Sequence, residues 1–192
     1  MDKIKESLVV SIFTNIFIIS IEIISGIVGG SVSLITSGIH GTSDLLTDIF
    51  SLVGAHFSSK PKDDKHPFGY GKFDNIFSML MGVFILLIGI FMLKGVFSGT
   101  QSIPSLWLVI IIFISMTARY FCSNFLMRRG IKYNSDLLIS NAKEGKIDVI
   151  SSFFLLFVII LSQFSDKISW LAYLDLVGGV LISVIVIYVG LN

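Results

Sequence analysis

Apolar residues run along this chain in six stretches of roughly 20, the length a helix needs to cross about 30 Å of hydrocarbon. The stretches are Leu8 to Val28, Val32 to Phe57, Ile76 to Phe97, Leu106 to Met127, Leu137 to Leu161 and Trp170 to Val189. The pattern predicts an all-α membrane protein, a bundle of six transmembrane helices occupying residues 1–192 as one domain. Gly29 and Gly30 leave room only for a very tight first turn. The longest connection is the polar stretch Ser58 to Asp74, which holds His66. The charged lead Met1 to Glu6 precedes an apolar run too long for a signal peptide and without a small-residue cleavage site, so it is read as a first span. Gly26 and Gly30 form a G-x-x-x-G spacing that suits close helix packing. No internal repeat is strong enough to use: a pair of acids recurs in the second and fifth spans, but the flanking residues differ.

Composition strengthens this picture. The chain is 54% hydrophobic and 14% charged with a mean hydropathy of +0.89, far above what one soluble core requires. A net charge of +1, with Lys and Arg gathered in short loops, gives no reason to expect a nucleic-acid partner. Cys122 stands alone, which excludes an internal disulfide framework. Lys3, Lys5, Lys60, Lys62, Lys65, Lys72, Arg128, Arg129 and Lys132 fall on one side of the predicted spans; Lys94 and Lys167 fall on the other. By the positive-inside rule both termini face the cytoplasm, and the expected location is the plasma membrane.

The acids inside the spans carry the chemistry. A carboxylate in the bilayer costs about 2.5–3.5 kcal/mol on insertion scales, so it tends to persist where it has a task. Asp44 and Asp48 form one i, i+4 pair, and Glu144 and Asp148 another; that spacing returns both side chains to one helix face, about 6 Å apart along the axis. With no excess of Lys or Arg near Asp44 and Asp48, four clustered anions would repel, and a divalent cation removes the conflict. The same four carboxylates are then the groups that exchange protons with the ion, because ligands must be ionised to bind. His40 stands one turn before Asp44 on the same face and offers a nitrogen; its structural reading is a histidine hydrogen-bonded at a helix end. Lys143 and Lys146 flank Glu144 on other faces, where they snorkel or moderate the field. Glu22 and Asp175 are single acids, read as structural or accessory. Four oxygen donors suit hard ions such as manganese or magnesium, whereas zinc usually takes imidazole or thiolate.

The run His40-Gly-Thr-Ser-Asp44-Leu-Leu-Thr-Asp48, followed by Lys60-Pro-Lys-Asp63-Asp64-Lys-His66-Pro67-Phe68-Gly69-Tyr70-Gly71-Lys72-Phe-Asp74, resembles the cation diffusion facilitator family, whose members exchange divalent metal for protons. The resemblance covers essentially the whole chain. Asn15 and the Gly-Ser turn fit the first span, Glu144-x-x-x-Asp148 falls where the family places its fifth-span pair, and Asp175 sits where the sixth span often carries Asp. It implies a transporter and not an enzyme, with no prosthetic group, divalent metal and protons as its partners along with the lipid bilayer, and export from the cytoplasm.

Departures from the family pattern sharpen the expectation. The family's zinc transporters usually carry His where this chain has Glu144, which leans toward manganese, with zinc or iron efflux as the alternative. In the loop, Asp63 and His66 fit a second, weaker metal site, but Tyr70 replaces its other His; the rival reading is a rigid turn set by Pro67 and the glycines. Family members generally continue after the sixth span into a soluble cytoplasmic domain that binds metal and holds a dimer. That domain is absent from these 192 residues, which leaves a homodimer as an open expectation. Two readings from other classes are a non-transporting membrane metal sensor or scaffold and an intramembrane aspartyl protease, in which two membrane Asp residues activate water. The protease signature Gly-x-Gly-Asp does not occur, since Lys146 and Ile147 precede Asp148.

Overall fold

The computed structural model describes residues 2–58, 72–98, 103–165, 171 and 173–191. They form six helices: α1 (Asp2–Gly29), α2 (Val32–Ser58), α3 (Lys72–Ser98), α4 (Leu108–Tyr133), α5 (Asp136–Ser162) and α6 (Leu174–Leu191). Most helix ends overrun the predicted apolar spans, because a helix continues past the hydrocarbon edge while its charged ends reach the interface; α4, for example, runs on through Arg128, Arg129 and Lys132. By contrast, α4 and α6 begin at Leu108 and Leu174, later than the predicted Leu106 and Trp170, since apolar residues also occupy the approach to a helix. Four of them, α1, α3, α4 and α5, contain segments long and apolar enough to cross a membrane. In α2 the polar residues His40, Asp44 and Asp48 interrupt the apolar run, and the apolar part of α6 spans only Leu174–Tyr188.

The packing is inverted relative to a water-soluble protein. Large rings face outward, among them Phe13, Phe17, Phe91, Phe97, Phe121 and Phe154, while Ser7, Ser11, Ser31, Ser33, Ser43, Ser115, Ser123, Ser152 and Ser183 are buried. Lipid tails are as apolar as a phenyl ring, so nothing drives rings inward, whereas small side chains let helices approach closely. In α4 the buried residues Leu108, Ile112, Ser115, Arg119, Ser123, Leu126 and Gly130 follow one another at intervals of three or four, the inner stripe of a helix.

Five helices close a ring in which α1 neighbours α2 and α4, α5 neighbours α4 and α6, and α6 neighbours α2; α3 lies outside it, packed on α2 and α6. Glycines bring α3 and α6 together. A Cβ at Gly89 would stand 2.7 Å from Ile187 Cγ1, and one at Gly190 would stand 2.6 Å from the Leu86 nitrogen. Inside the ring an apolar cluster of Leu34, Leu108, Ile112, Leu155 and Ile159 lies toward one end, and a second of Leu8, Leu126, Leu138 and Ala142 toward the other. Polar residues fill the layer between them. Arg119 sits seven residues from both Ile112 and Leu126, on the stripe that joins the two clusters.

The α1–α2 and α4–α5 hairpins repeat one another, which corrects the expectation that no internal repeat is usable. The first closes with the Ser31 N–H donating to the Gly26 carbonyl (2.9 Å) around Gly30 at φ 72°. The second closes with the Ser135 N–H donating to the Gly130 carbonyl (3.0 Å) around Asn134 at φ 49°. Each is a six-to-one C-terminal motif, in which a left-handed residue ends the helix. Ser31 and Ser135 then cap the next helix, accepting from the N–H of Leu34 and Leu138 respectively. Gly26 lies against Ile35 as Gly130 lies against Ile139. Carried forward in register, His40, Gly41 and Asp44 correspond to Glu144, Gly145 and Asp148. Few identities survive between the flanks, so the turns show the repeat more plainly than the residues do.

Candidate functional site

Asp44 and Asp148 lie near the middle of α2 and α5, two helices of 27 residues each, and face one another across the bundle. His40 joins them: one donor atom from each of His40, Asp44 and Asp148 lies within 4.8 Å of the other two. The His40 Nδ1 is 3.7 Å from Asp44 Oδ1 and its Nε2 is 4.0 Å from Asp148 Oδ1, too far for hydrogen bonds. Donors bound to one ion at about 2.1 Å stand at most roughly 4.2 Å apart. The trio therefore needs to close by well under ~1 Å to share an ion.

His40 is not at a helix end. It lies within α2, and its buried Nδ1 has no hydrogen-bond partner among the described residues. The structural reading expected from the sequence does not describe it.

Asp48 and Glu144 line the same cavity as Asp44 and Asp148, a polar space of about 30 Å³ that also touches Ser11, Asn15, Arg119, Cys122, Ser123 and Asn141. That is room for an ion or one to two waters. Gly145 keeps α4 and α5 close beside it, since a Cβ there would fall 2.2 Å from Ser123 Oγ. Of the sequence-predicted acids, the structure thus gathers Asp44, Asp48, Glu144 and Asp148 around one cavity, with His40 against Asp44 and Asp148. Asp63 and His66 lie outside the described residues.

Arg119 is the residue that sequence reasoning misses. It answers the expectation that no cation stands near the acids: its Nη1 donates to Asp148 Oδ2 at 2.7 Å and its Nη2 to Glu22 Oε2 at 3.3 Å. Both Arg119 and Glu22 are buried. The Ser37 hydroxyl also donates to Glu22 Oε2 at 3.2 Å. Gly41 lies beside the guanidinium and close to α1, where an ideal Cβ would stand 3.0 Å from Ile19 Cγ1. Glu22 is therefore one half of a buried ion pair that connects α1, α4 and α5. Asp148 divides its oxygens, Oδ2 toward Arg119 and Oδ1 toward His40.

Asp175 stands apart from this centre. It accepts from the Ser31 and Ser33 hydroxyls and from the N–H groups of Val32 (2.6 Å) and Ser33 (3.4 Å), so a residue of α6 caps the N-terminus of α2. It also lies in the first turn of its own helix, placing one carboxylate at two positive helix ends.

The chain is 30% identical over 190 residues to the uncharacterized transporter MJ0449 of Methanocaldococcus jannaschii, covering 97% of this chain and 65% of that protein. It is 23% identical to the manganese efflux system protein MneP of Bacillus subtilis, covering 95% of this chain and 63% of the relative. To the magnetosome protein MamB of Magnetospirillum gryphiswaldense it is 27% identical, covering 88% and 57%. The chain thus spans less than two thirds of the length of these relatives. Residues 8–192, nearly the whole chain, match the model of the cation efflux transmembrane domain, and this membrane protein therefore belongs to the cation efflux family.

Proposed function

We propose that the chain forms the membrane path of a divalent metal transporter, an antiporter that exports manganese-like ions from the cytoplasm in exchange for protons. Asp44, Asp48, Glu144 and Asp148 are its metal ligands and proton carriers, and His40 adds a nitrogen. The observation that carries this reading is the convergence of carboxylates from α2 and α5 on a polar cavity between two apolar clusters. Family membership and a relative named for manganese efflux support the cargo.

In this reading all six helices cross the plasma membrane as one domain, with both termini cytoplasmic. Arg129 supports that arrangement: its 3.4 Å ion pair with Glu6 puts the start of α1 and the end of α4, with their basic residues, at one end of the bundle. Metal entering from the cytoplasm displaces protons from the carboxylates, and rocking of the helices exposes the site to the other side, where protons release the ion. A homodimer completes the expected partners; no prosthetic group takes part.

A second reading, zinc or iron efflux by the same mechanism, draws on the place of His40 beside Asp44 and Asp148, since imidazole suits those ions. The protease reading is weaker. Asp44 and Asp148 do face each other from different helices, as an aspartyl dyad requires, but Arg119 engages Asp148 and the family is one of transporters.

The deciding experiment is metal-driven proton movement in proteoliposomes. Asp48→Ala and Asp148→Ala each abolish it while the protein stays folded; transport retained in both variants overturns the site, and metal binding without transport leaves a sensor or scaffold.

A further inference from the structure

We propose that Arg119 is a tethered counter-cation that weakens the metal site enough for the ion to leave, and that Glu22 sets the strength of this effect. The inference rests on the reading of Asp148 as a metal ligand.

Three observations carry it. A guanidinium nitrogen lies 2.7 Å from Asp148 Oδ2, so a full positive charge stands one carboxylate away from the proposed ion. The same guanidinium reaches Glu22 Oε2 at 3.3 Å, on a helix that supplies none of the proposed ligands. Its Nε, although buried, has no acceptor among the described residues, so the group is shared between two carboxylates and not saturated by either. Among the described residues, the other charged or titratable groups around it are Asp44, Asp48, Glu144 and Cys122, which line the same cavity, and His40, which faces Asp148.

The physical consequence has a sign. Like charges a few ångströms apart in a partly desolvated site repel strongly, so Arg119 lowers cation affinity. Glu22 draws part of that charge away from Asp148 and so restores affinity. A cargo site must bind firmly enough to load and loosely enough to unload, as in any conducting path. Arg119 is a positioning residue that acts through Asp148.

The test compares manganese binding and transport in full-length wild type, Arg119→Gln, Glu22→Gln, Arg119→Lys and the double variant Glu22→Gln/Arg119→Gln. Removing the charge in Arg119→Gln lowers the apparent Kd for manganese by about tenfold or more and slows turnover, so KM and kcat fall together. Glu22→Gln keeps the acceptor oxygen but not the charge, and raises the apparent Kd. Arg119→Lys keeps the charge but not the fork, and binds manganese more weakly than Arg119→Gln. Breaking one side of a buried ion pair destabilises a fold; the double variant removes Arg119 and Glu22 together, so Glu22 is not left buried without its cation, Asp148 remains free to take the metal, and the protein binds like Arg119→Gln. Weaker binding in both Arg119→Gln and the double variant, or affinities unchanged throughout, overturns the proposal while leaving the metal site intact. Failure of wild type to bind manganese or any other divalent ion overturns the metal site itself, and the counter-cation with it.

Discussion

His40 and Glu144 hold matching places in the two repeated hairpins, one turn before Asp44 and Asp148, yet one offers nitrogen and the other oxygen. Selectivity is therefore expected to respond to each in the opposite sense. Glu144→His adds an imidazole and shifts preference from manganese toward zinc by roughly ten- to hundredfold, read from calorimetric affinities in detergent. His40→Ala lowers zinc affinity more than manganese affinity in the same assay; equal losses for both ions would remove His40 from the ligand set. The acids were legible because a carboxylate in an apolar run stands out, and i, i+4 spacing fixes a common face. Arg119 is not, because nearness along the chain does not reveal its partners: α4 meets the acids of α1 and α5 only through tertiary packing. An arginine inside an apolar run of about twenty residues is itself the signal that finds it.

Among the elements, helix existence and order follow from the apolar runs, and the tight turn at Gly29 and Gly30 appears where the glycines place it. The ends of the helices were less legible, since apolar runs mark hydrocarbon and not hydrogen-bonded turns. α2 depends on α6 in a way the sequence does not reveal: Asp175 accepts from two hydroxyls and two N–H groups at its first turn. Asp175→Ala removes a cap and leaves buried donors without an acceptor, at a cost of about 2 kcal/mol or more. The expected result is a lower thermal midpoint in detergent, with Asp175→Asn intermediate because its amide oxygen still accepts. Since α2 carries Asp44 and Asp48, metal affinity falls with the midpoint in Asp175→Ala. Unchanged melting would show that Ser31 alone caps the helix.

On the scale of the whole molecule, the proposed exchange makes proton and metal compete for one set of oxygens. Apparent metal affinity rises as pH is raised from about 5 to 8, and a pulse of manganese acidifies a weakly buffered solution of the solubilised protein. Changing Asp44 and Asp148 together to Asn abolishes the acidification. A flat affinity with no proton release would favour a metal-binding scaffold over an antiporter. The outward phenylalanines and inward serines have a calorimetric counterpart. Unfolding a soluble domain of 192 residues wets its apolar interior and raises the heat capacity by about 2–3 kcal/mol/K. Here the large apolar side chains already face hydrocarbon, so separating the helices within a bilayer hydrates little of them. The heat-capacity step on melting in lipid should be a small fraction of the soluble value, and the stability curve correspondingly flat, with scant tendency toward cold denaturation.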